Sequence, residues 1–330
     1  MRCLVLGSPN VNADSEQRVR PFAPRNASML SRMQGVRSQF RRLLREQRPD
    51  LIASHFALFT LPVLPALSRL PLVVHFHGPW AAESRAEGQG RMATGAKWLL
   101  ERRVYRRADR FIVLSEAFKQ VLVDQYRLPA DRIRIVRGGV QADRFDTAQT
   151  PEAARSVLGW PQDRPILLVV RRLARRMGLE NLIAAMVRVR QQVPEAHLMM
   201  AGSGPLRAEL ADRIRAAGLG DHVTLLGFVP DEDLPLAYRA ADFTIVPPLS
   251  LEGFGLITIE SMAAGTPVLV TNVGGLPEVV RDLDPGLIMP DAEVKTLAHH
   301  MIDALTGAHP LPDAAACKAY VRERFDWPVI

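Results

Sequence analysis

Glu252 and Glu260, with seven residues between them, frame the stretch of this 330-residue chain whose residue types are best suited to chemistry. The segment Pro247-Pro-Leu-Ser-Leu-Glu-Gly-Phe-Gly-Leu-Ile-Thr-Ile-Glu260 leaves an apolar run that reads as a strand. It then turns through Gly253-Phe254-Gly255 and opens a helix at about Leu256. A glycine-flanked helix start after a strand offers unpaired backbone N–H groups and the positive end of the helix dipole, which suits a phosphate. The two carboxylates would repel that phosphate, so their natural partners are hydroxyl groups, such as those of a ribose and a sugar. Taken alone, Glu252 would serve equally as a cap and Glu260 as a solvated helix residue. The order of strand, glycine loop, helix and then the Thr266-Pro-Val strand makes the combination specific.

Three other groups of residues have the right types for chemistry. His77 closes His75-Phe-His77-Gly78 at the end of an apolar run, where an imidazole can hydrogen-bond a hydroxyl; His55 reads as a packed strand-end residue. Asp231-Glu-Asp233 spaces two carboxylates as a divalent-cation site does. It falls between Pro230 and the Leu-Pro-Leu-Ala-Tyr-Arg helix, however, so capping by acidic side chains accounts for it. Gly202-Ser-Gly204-Pro has neither the glycine order nor the first-strand position of a dinucleotide fingerprint.

These residues have to be positioned by strands. Short continuous apolar runs recur at 3–6, 51–54, 72–76, 111–114 and 133–136, and again at 166–170, 198–200, 223–226, 243–246, 268–270 and 287–289. Each is followed by a helix-like stretch, which is the pattern of strands buried on both faces of a parallel sheet. Eleven such strands imply an α/β protein of two Rossmann-like, doubly wound domains with strand ends around a central cleft. Residues 141–164, rich in Asp and Pro and holding one short helix, mark the boundary, giving an N-terminal domain 1–145 and a C-terminal domain 146–330.

From about residue 48 onward the chain resembles family 4 of the retaining GT-B glycosyltransferases, whose signature is this pair of glutamates. The resemblance is carried by VVRRLARRMGLENLI (169–183), AGSGPLRAEL (201–210), LLGFVPDEDLPLAYRAADFTIVPP (225–248) and GTPVLVTNVGGLPEVV (265–280), and in the first half by RPDLIASH, PLVVHFHG, ADRFIVLSE and IRIVRGGVQADRF. It implies a donor site for a UDP-, GDP- or ADP-linked sugar, with no cofactor and no metal. Glu260 matches the residue that holds the ribose hydroxyls, and Glu252 the one that contacts the donor sugar. The amides of Phe254, Gly255 and Leu256 match the grip on sugar and distal phosphate, and Gly227, Phe228 and Val229 the segment flanking the base. Gly202 and Gly204 fall with the donor-binding residues. Arg172 matches the arginine that neutralises the leaving diphosphate, and His77 the histidine beside the donor sugar. The family usually supplies a second cation as Lys-Gly where this chain has Met177-Gly178, so Arg175 or Arg176 is expected to replace it.

Family members usually open with a strand, a glycine-rich loop and a helix before a strand such as MRCLVLGSP, and continue beyond YVRERFDWPVI into a helix that crosses back. The chain is therefore expected to have an incomplete first domain, covered by a dimer contact or a partner. The alternative to a hexosyltransferase is a catalytically impaired or partner-dependent nucleotide-sugar binding protein.

Composition sets the outer limits. At 48% hydrophobic and 23% charged residues, the chain has ample apolar mass for a core, which excludes disordered, collagenous and disulfide-scaffold classes. Cys3 and Cys317, at opposite ends, make no metal or disulfide pattern and suit a reducing cytoplasm. The longest apolar stretch, 56–67, is short and broken by Pro62 and Pro65, so no transmembrane helix is expected, and the N-terminus is too weakly apolar for a signal peptide. Residues 1–145 carry 25 Lys and Arg against 12 Asp and Glu, whereas residues 146–330 carry 17 against 23. That asymmetry points the first half toward an anionic membrane surface or lipid-linked acceptor at the inner membrane face. Arginine-rich usage, with 38 arginines among 42 basic residues, explains it equally. Nucleic-acid binding through the same half would show as steep salt dependence; no specific nucleic acid is expected. The basic amphipathic stretch 30–47 reads either as a membrane-surface helix or as a domain helix with its apolar face in the core.

Overall fold

The computed structural model describes residues 2–7, 19–68 and 70–330. It divides into two compact units, the first made of 1–82, 90–113 and 119–134, the second of 83–89, 114–118 and 135–330.

In the second unit every strand is a short apolar run. The strands are β7 (Ile166–Val170), β8 (His197–Ala201), β9 (Val223–Gly227), β10 (Phe243–Val246), β11 (Val268–Thr271) and β12 (Ile288–Met289). They form one parallel sheet in the order β12-β11-β10-β7-β8-β9. Both faces are covered, so Leu167, Leu168, Leu198, Ile245 and Leu269 are fully buried, each contributing roughly 1.5–3 kcal/mol relative to exposure. The chain lays down β7, β8 and β9 outward, then returns to place β10 on the other side of β7. The loops leaving β7 and β10 therefore diverge, and the crevice at their carboxyl ends is where open α/β sheets take ligands. Those two loops carry Arg171–Met177 and Pro247–Gly255.

The first unit holds a four-stranded sheet, order β3 (Ile52–Ser54), β4 (Leu72–His75), β5 (Arg110–Val113) and β6 (Ile133–Ile135), and a parallel pair, β1 (Cys3–Gly7) with β2 (Val19–Pro24). All eleven expected strands are present. The twelfth, β2, went unread because Val-Arg-Pro-Phe-Ala-Pro holds two prolines, residues confined to sheet edges and strand ends. Its Phe22 and Ala23 are buried, and the Phe22 ring lies 5.0 Å from that of Phe59.

The basic amphipathic stretch is a helix, Met29–Glu46, capped by Ser28 Oγ, which accepts from the Ser31 N–H at 3.2 Å. Val36 and Phe40 point into the core, while Arg37, Arg41, Arg45 and Arg48 are exposed. A buried carboxylate ties three further helices together. Glu101, on Arg91–Arg107, accepts the Trp80 and Ala81 N–H groups that start Trp80–Ala86 at 2.7 and 3.2 Å, and the Tyr126 hydroxyl of Glu116–Tyr126 at 2.7 Å. Because Trp80 follows His77-Gly78-Pro79 directly, this carboxylate anchors the turn after β4.

The chain passes into the second unit for the last time at Ile135, ahead of the 141–164 stretch. Val140 and Phe145 already belong to the second core, and the Val140 N–H donates to the Phe325 carbonyl at 2.8 Å. Residues 141–164 hold two short helices, Ala142–Phe145 and Pro151–Leu158. Among the described residues no helix is long and apolar enough to cross a membrane.

Candidate functional site

Glu252 sits on the loop leaving β10, and three contacts fix that loop. Its carbonyl accepts the Gly275 N–H at 3.0 Å from the loop after β11. The Leu249 N–H donates to the Arg176 carbonyl at 2.8 Å, and Arg176 Nη1 donates to the Leu251 carbonyl at 3.1 Å. Leu251 itself is held at φ +58°, a left-handed conformation that a leucine adopts only when its surroundings impose it. Gly255, at φ +79°, then turns the chain into the helix Leu256–Ala263. A Cβ there would come within 2.4 Å of Leu276 Cδ2, so glycine is required twice over. No side chain caps this helix, and among the described residues no acceptor takes the N–H groups of Phe254, Gly255 or Leu256. The unpaired helix start expected from the sequence is present.

Glu260 lies one helical turn further in, and the Tyr238 hydroxyl donates to its Oε2 at 2.9 Å. Burial raises its carboxyl above the usual carboxylate range, partly offset by the Tyr238 hydrogen bond and the charge of Arg144. Burial likewise raises the Tyr238 hydroxyl well above its ordinary value, so it stays a donor. Tyr238 escaped the sequence analysis. Its only signal was a polar tip in the helix Leu234–Ala240, which precedes β10.

Glu252 is ion-paired with Arg171, and both side chains are largely buried, at 14% and 8% exposure. Arg171, the first residue after β7, has no sequence signal of its own beside the adjacent Arg172. Arg172 is exposed, and its side chain takes no hydrogen-bond or ion-pair partner among the described residues; burial raises the Glu83 carboxyl, an effect that the charges of Arg176 and Arg172 partly offset. The two expected replacements for the family lysine have carboxylate partners. Arg175 pairs with Glu209 at 3.0 Å and Glu180 at 3.5 Å, and Arg176 with Glu83 at 3.5 Å and Glu87 at 3.9 Å. Met177, in the lysine position, is buried.

Gly202 and Gly204 back the Arg171–Leu173 segment. A Cβ on Gly202, at φ +138°, would stand 1.8 Å from the Arg171 carbonyl oxygen, and one on Gly204 would stand 2.3 Å from that of Leu173. Gly227 ends β9, its carbonyl accepting the Gly202 N–H at 2.6 Å; Phe228 follows with 73% exposure, and Val229 is half-buried. The acidic Asp231-Glu-Asp233 departs from its expected explanation. Asp233 occupies the N-cap position of Leu234–Ala240 without a side-chain cap bond, and Asp231 is held by Arg144 at 3.9 Å.

In the first unit, His77 stands two residues beyond Val74–His75 of β4 and meets two more histidines. β3 and β4 run in register as far as Ser54 opposite Val74, and just beyond that pair the His55 ring lies 5.0 Å from that of His75 and 5.2 Å from that of His77. His55 Nδ1 and His77 Nε2 are 2.9 Å apart, and the His75 and His77 rings are 4.3 Å apart. His55 is exposed and hydrogen-bonded, which corrects its reading as a packed residue. Burial and its two neighbours push the His75 imidazole down to about 4, and burial with His55 lowers His77. His75 was legible only in the alternation of His-Phe-His.

The sequence profile of the glycosyl transferases group 1 matches residues 151–324, and that of glycosyltransferase family 4 matches residues 3–144. The chain is 32% identical over 291 residues to the D-inositol 3-phosphate glycosyltransferase of Streptomyces scabiei, covering 84% of this chain and 65% of that one. It is 28% identical over 341 residues to the 2-deoxystreptamine glucosyltransferase of Streptomyces kanamyceticus, covering 97% and 86%. Several such matches, the first of these two included, span less than two thirds of the relative's own length. Among solved structures, Anabaena HepE in complex with UDP-glucose superposes with a TM-score of 0.81 at 22% identity, over 98% of this chain and 87% of that one. With the first profile lying over more than half of its length, and the paired glutamates at the switch point of its second sheet, the chain belongs to the group 1 glycosyl transferases and has their GT-B fold.

Proposed function

We propose that this protein is a retaining glycosyltransferase that moves a hexose from a nucleotide-diphosphate sugar to a hydroxyl acceptor. One observation carries the proposal: at the switch point of the second sheet, a helix start with unpaired amides lies between two carboxylates, one of them paired with an arginine. Glu260, half-buried and steadied by Tyr238, accepts from the ribose hydroxyls. Glu252 accepts from the donor sugar, and the amides of Phe254, Gly255 and Leu256 hold the distal phosphate with the helix dipole behind them. Phe228 and its neighbours Gly227 and Val229 border the base. Gly202 and Gly204 let the Arg171–Leu173 segment lie close against the β8 loop. Exposed Arg172 meets the charge that develops on the departing nucleoside diphosphate, and a fixed guanidinium does this without reorganising. His77 gives a hydrogen bond to a hydroxyl of the transferred sugar.

No side-chain nucleophile is assigned. The acceptor oxygen attacks from the face the diphosphate leaves, through a tightly held oxocarbenium-like ion pair, so that positioning and electrostatics supply the rate and the transfer needs no metal. The UDP-glucose complex of HepE and the activities named for the two Streptomyces relatives support a nucleotide-sugar donor and a hydroxylated acceptor. The excess of arginine in residues 1–145 favours an anionic, lipid-linked or cell-envelope acceptor at the cytoplasmic membrane face.

A nucleotide-sugar binding protein that turns over only with a partner is favoured by a different observation: Met177 is buried where the family has lysine, and Arg175 and Arg176 are taken up by carboxylates. Calorimetric titration with UDP, GDP and ADP, followed by hydrolysis of the matching sugar nucleotides in EDTA with the product anomer read by NMR, separates the two. The transferase binds one nucleotide selectively and releases sugar with retained configuration; binding without release at any acceptor leaves the binding protein. In the transferase, Glu252→Gln lowers turnover by roughly 100-fold or more while nucleotide affinity changes little, because the lost contact is to the sugar and not the nucleotide.

A further inference from the structure

We propose that His55, His75 and His77 form a binding site for a divalent transition-metal ion, with zinc the best fit, separate from the donor machinery of Glu252 and Glu260. Each histidine offers one ring nitrogen, and the three nitrogens lie within 4.8 Å of one another. Three imidazoles on one tetrahedral zinc, at about 2.0–2.1 Å each, hold their nitrogens about 3.3 Å apart. The 2.9 Å between His55 Nδ1 and His77 Nε2 has only to open slightly, and the third nitrogen only to close in, to reach that arrangement.

A second observation points the same way. His75 Nε2 is shielded from water and has no hydrogen-bond partner. A shielded polar nitrogen without a partner is costly unless a ligand satisfies it. The backbone presents the set in advance: the three histidines follow the paired ends of β3 and β4, with ring centroids 4.3–5.2 Å apart.

Ligand chemistry selects the class of ion. Three imidazole nitrogens with no carboxylate or carbonyl among them disfavour magnesium and calcium, which take oxygen, and favour zinc, nickel and copper. His55 and His77 are exposed, which gives an ion a way in and leaves its fourth position open to water. If His77 also serves the donor sugar, as proposed above, the bound ion occupies it and inhibits transfer; metal binding itself does not depend on that role.

The test uses the full chain stripped with a chelator and titrated with Zn²⁺ by calorimetry, with Co²⁺ as a visible-absorption probe of nitrogen coordination. One equivalent of zinc is expected, unaffected by millimolar Mg²⁺. Affinity should fall by roughly 100-fold or more in His55→Ala and His75→Ala, beyond the 10–100-fold typical of outer-sphere changes. The same affinity should persist in His299→Ala, an exposed histidine outside the cluster. His55 is exposed, so its variant decides the matter if His75→Ala does not fold. Failure of the chain to bind an equivalent of zinc, or wild-type affinity in His55→Ala, overturns the proposal. The calorimetric readout stands whether or not sugar transfer is ever observed.

Discussion

Glu260 and Tyr238 form a pair in which each partner sets the behaviour of the other. The hydroxyl hydrogen bond favours the ionised carboxylate, while burial opposes it and wins, so the carboxyl titrates above the usual carboxylate range. A protonated Glu260 loses acceptor capacity for ribose hydroxyls. Affinity for the nucleotide should therefore decline on acidification at a higher pH than a solvent-exposed carboxylate would give, as calorimetry across weakly acidic buffers will show. Tyr238→Phe removes the hydrogen bond that lowers the Glu260 carboxyl, so the decline should move to still higher pH. Affinity at neutral pH should fall by about 10- to 150-fold, in keeping with the roughly 1.5–3 kcal/mol of a hydrogen bond to a charged group. A purely structural role for Tyr238 would lower affinity without moving the pH profile. At this scale the sequence was informative about the glutamates, whose setting of strand, glycine loop and helix is local in the chain. It carried only a polar helix residue for Tyr238, nothing for Arg171 and a bare alternation for His75. Their importance comes from partners 22, 81 and 20 residues away, and no local pattern marks a contact at that distance.

Elements were legible wherever burial on both sides leaves an uninterrupted apolar run, which is why every strand of the second sheet was readable. β2 was not, since Pro21 and Pro24 break the pattern while Phe22 and Ala23 still bury. Nor does any motif announce Glu101, which lies in the middle of a helix among arginines and yet joins the starts and sides of three helices. Glu101→Ala would leave two helix-start amides and the Tyr126 hydroxyl without their acceptor in a buried place. A loss of about 3–5 kcal/mol is expected, seen as a Tm lowered by several degrees in thermal melts. Because the helix so anchored begins three residues after His77, the cobalt spectrum of that variant should also broaden or weaken.

For the whole molecule, charge is the property that composition announced most clearly and the structure resolved in part. The helix Met29–Glu46 buries Val36 and Phe40 in the core, leaves Met33, Leu43 and Leu44 half-buried and Met29 and Leu30 exposed, and pairs Arg42 with Glu46 at 3.0 Å. Arg37, Arg41, Arg45 and Arg48 remain exposed. If the acceptor is presented on an anionic membrane, cosedimentation with phosphatidylserine vesicles should be appreciable at low ionic strength. It should fall steeply by 0.15 M salt, where the Debye length is about 8 Å, and drop further in an Arg37→Gln, Arg41→Gln, Arg45→Gln variant. Equal recovery with neutral vesicles would assign those arginines to solubility alone. Leu251 has a bearing on how this protein would respond to engineering. Its left-handed backbone stores on the order of 1–3 kcal/mol beside Glu252, and a glycine would release it. Leu251→Gly should therefore melt at a higher temperature and transfer sugar more slowly, as its loop gains freedom. Selection for thermostability alone would then favour a sturdier and poorer catalyst at this position.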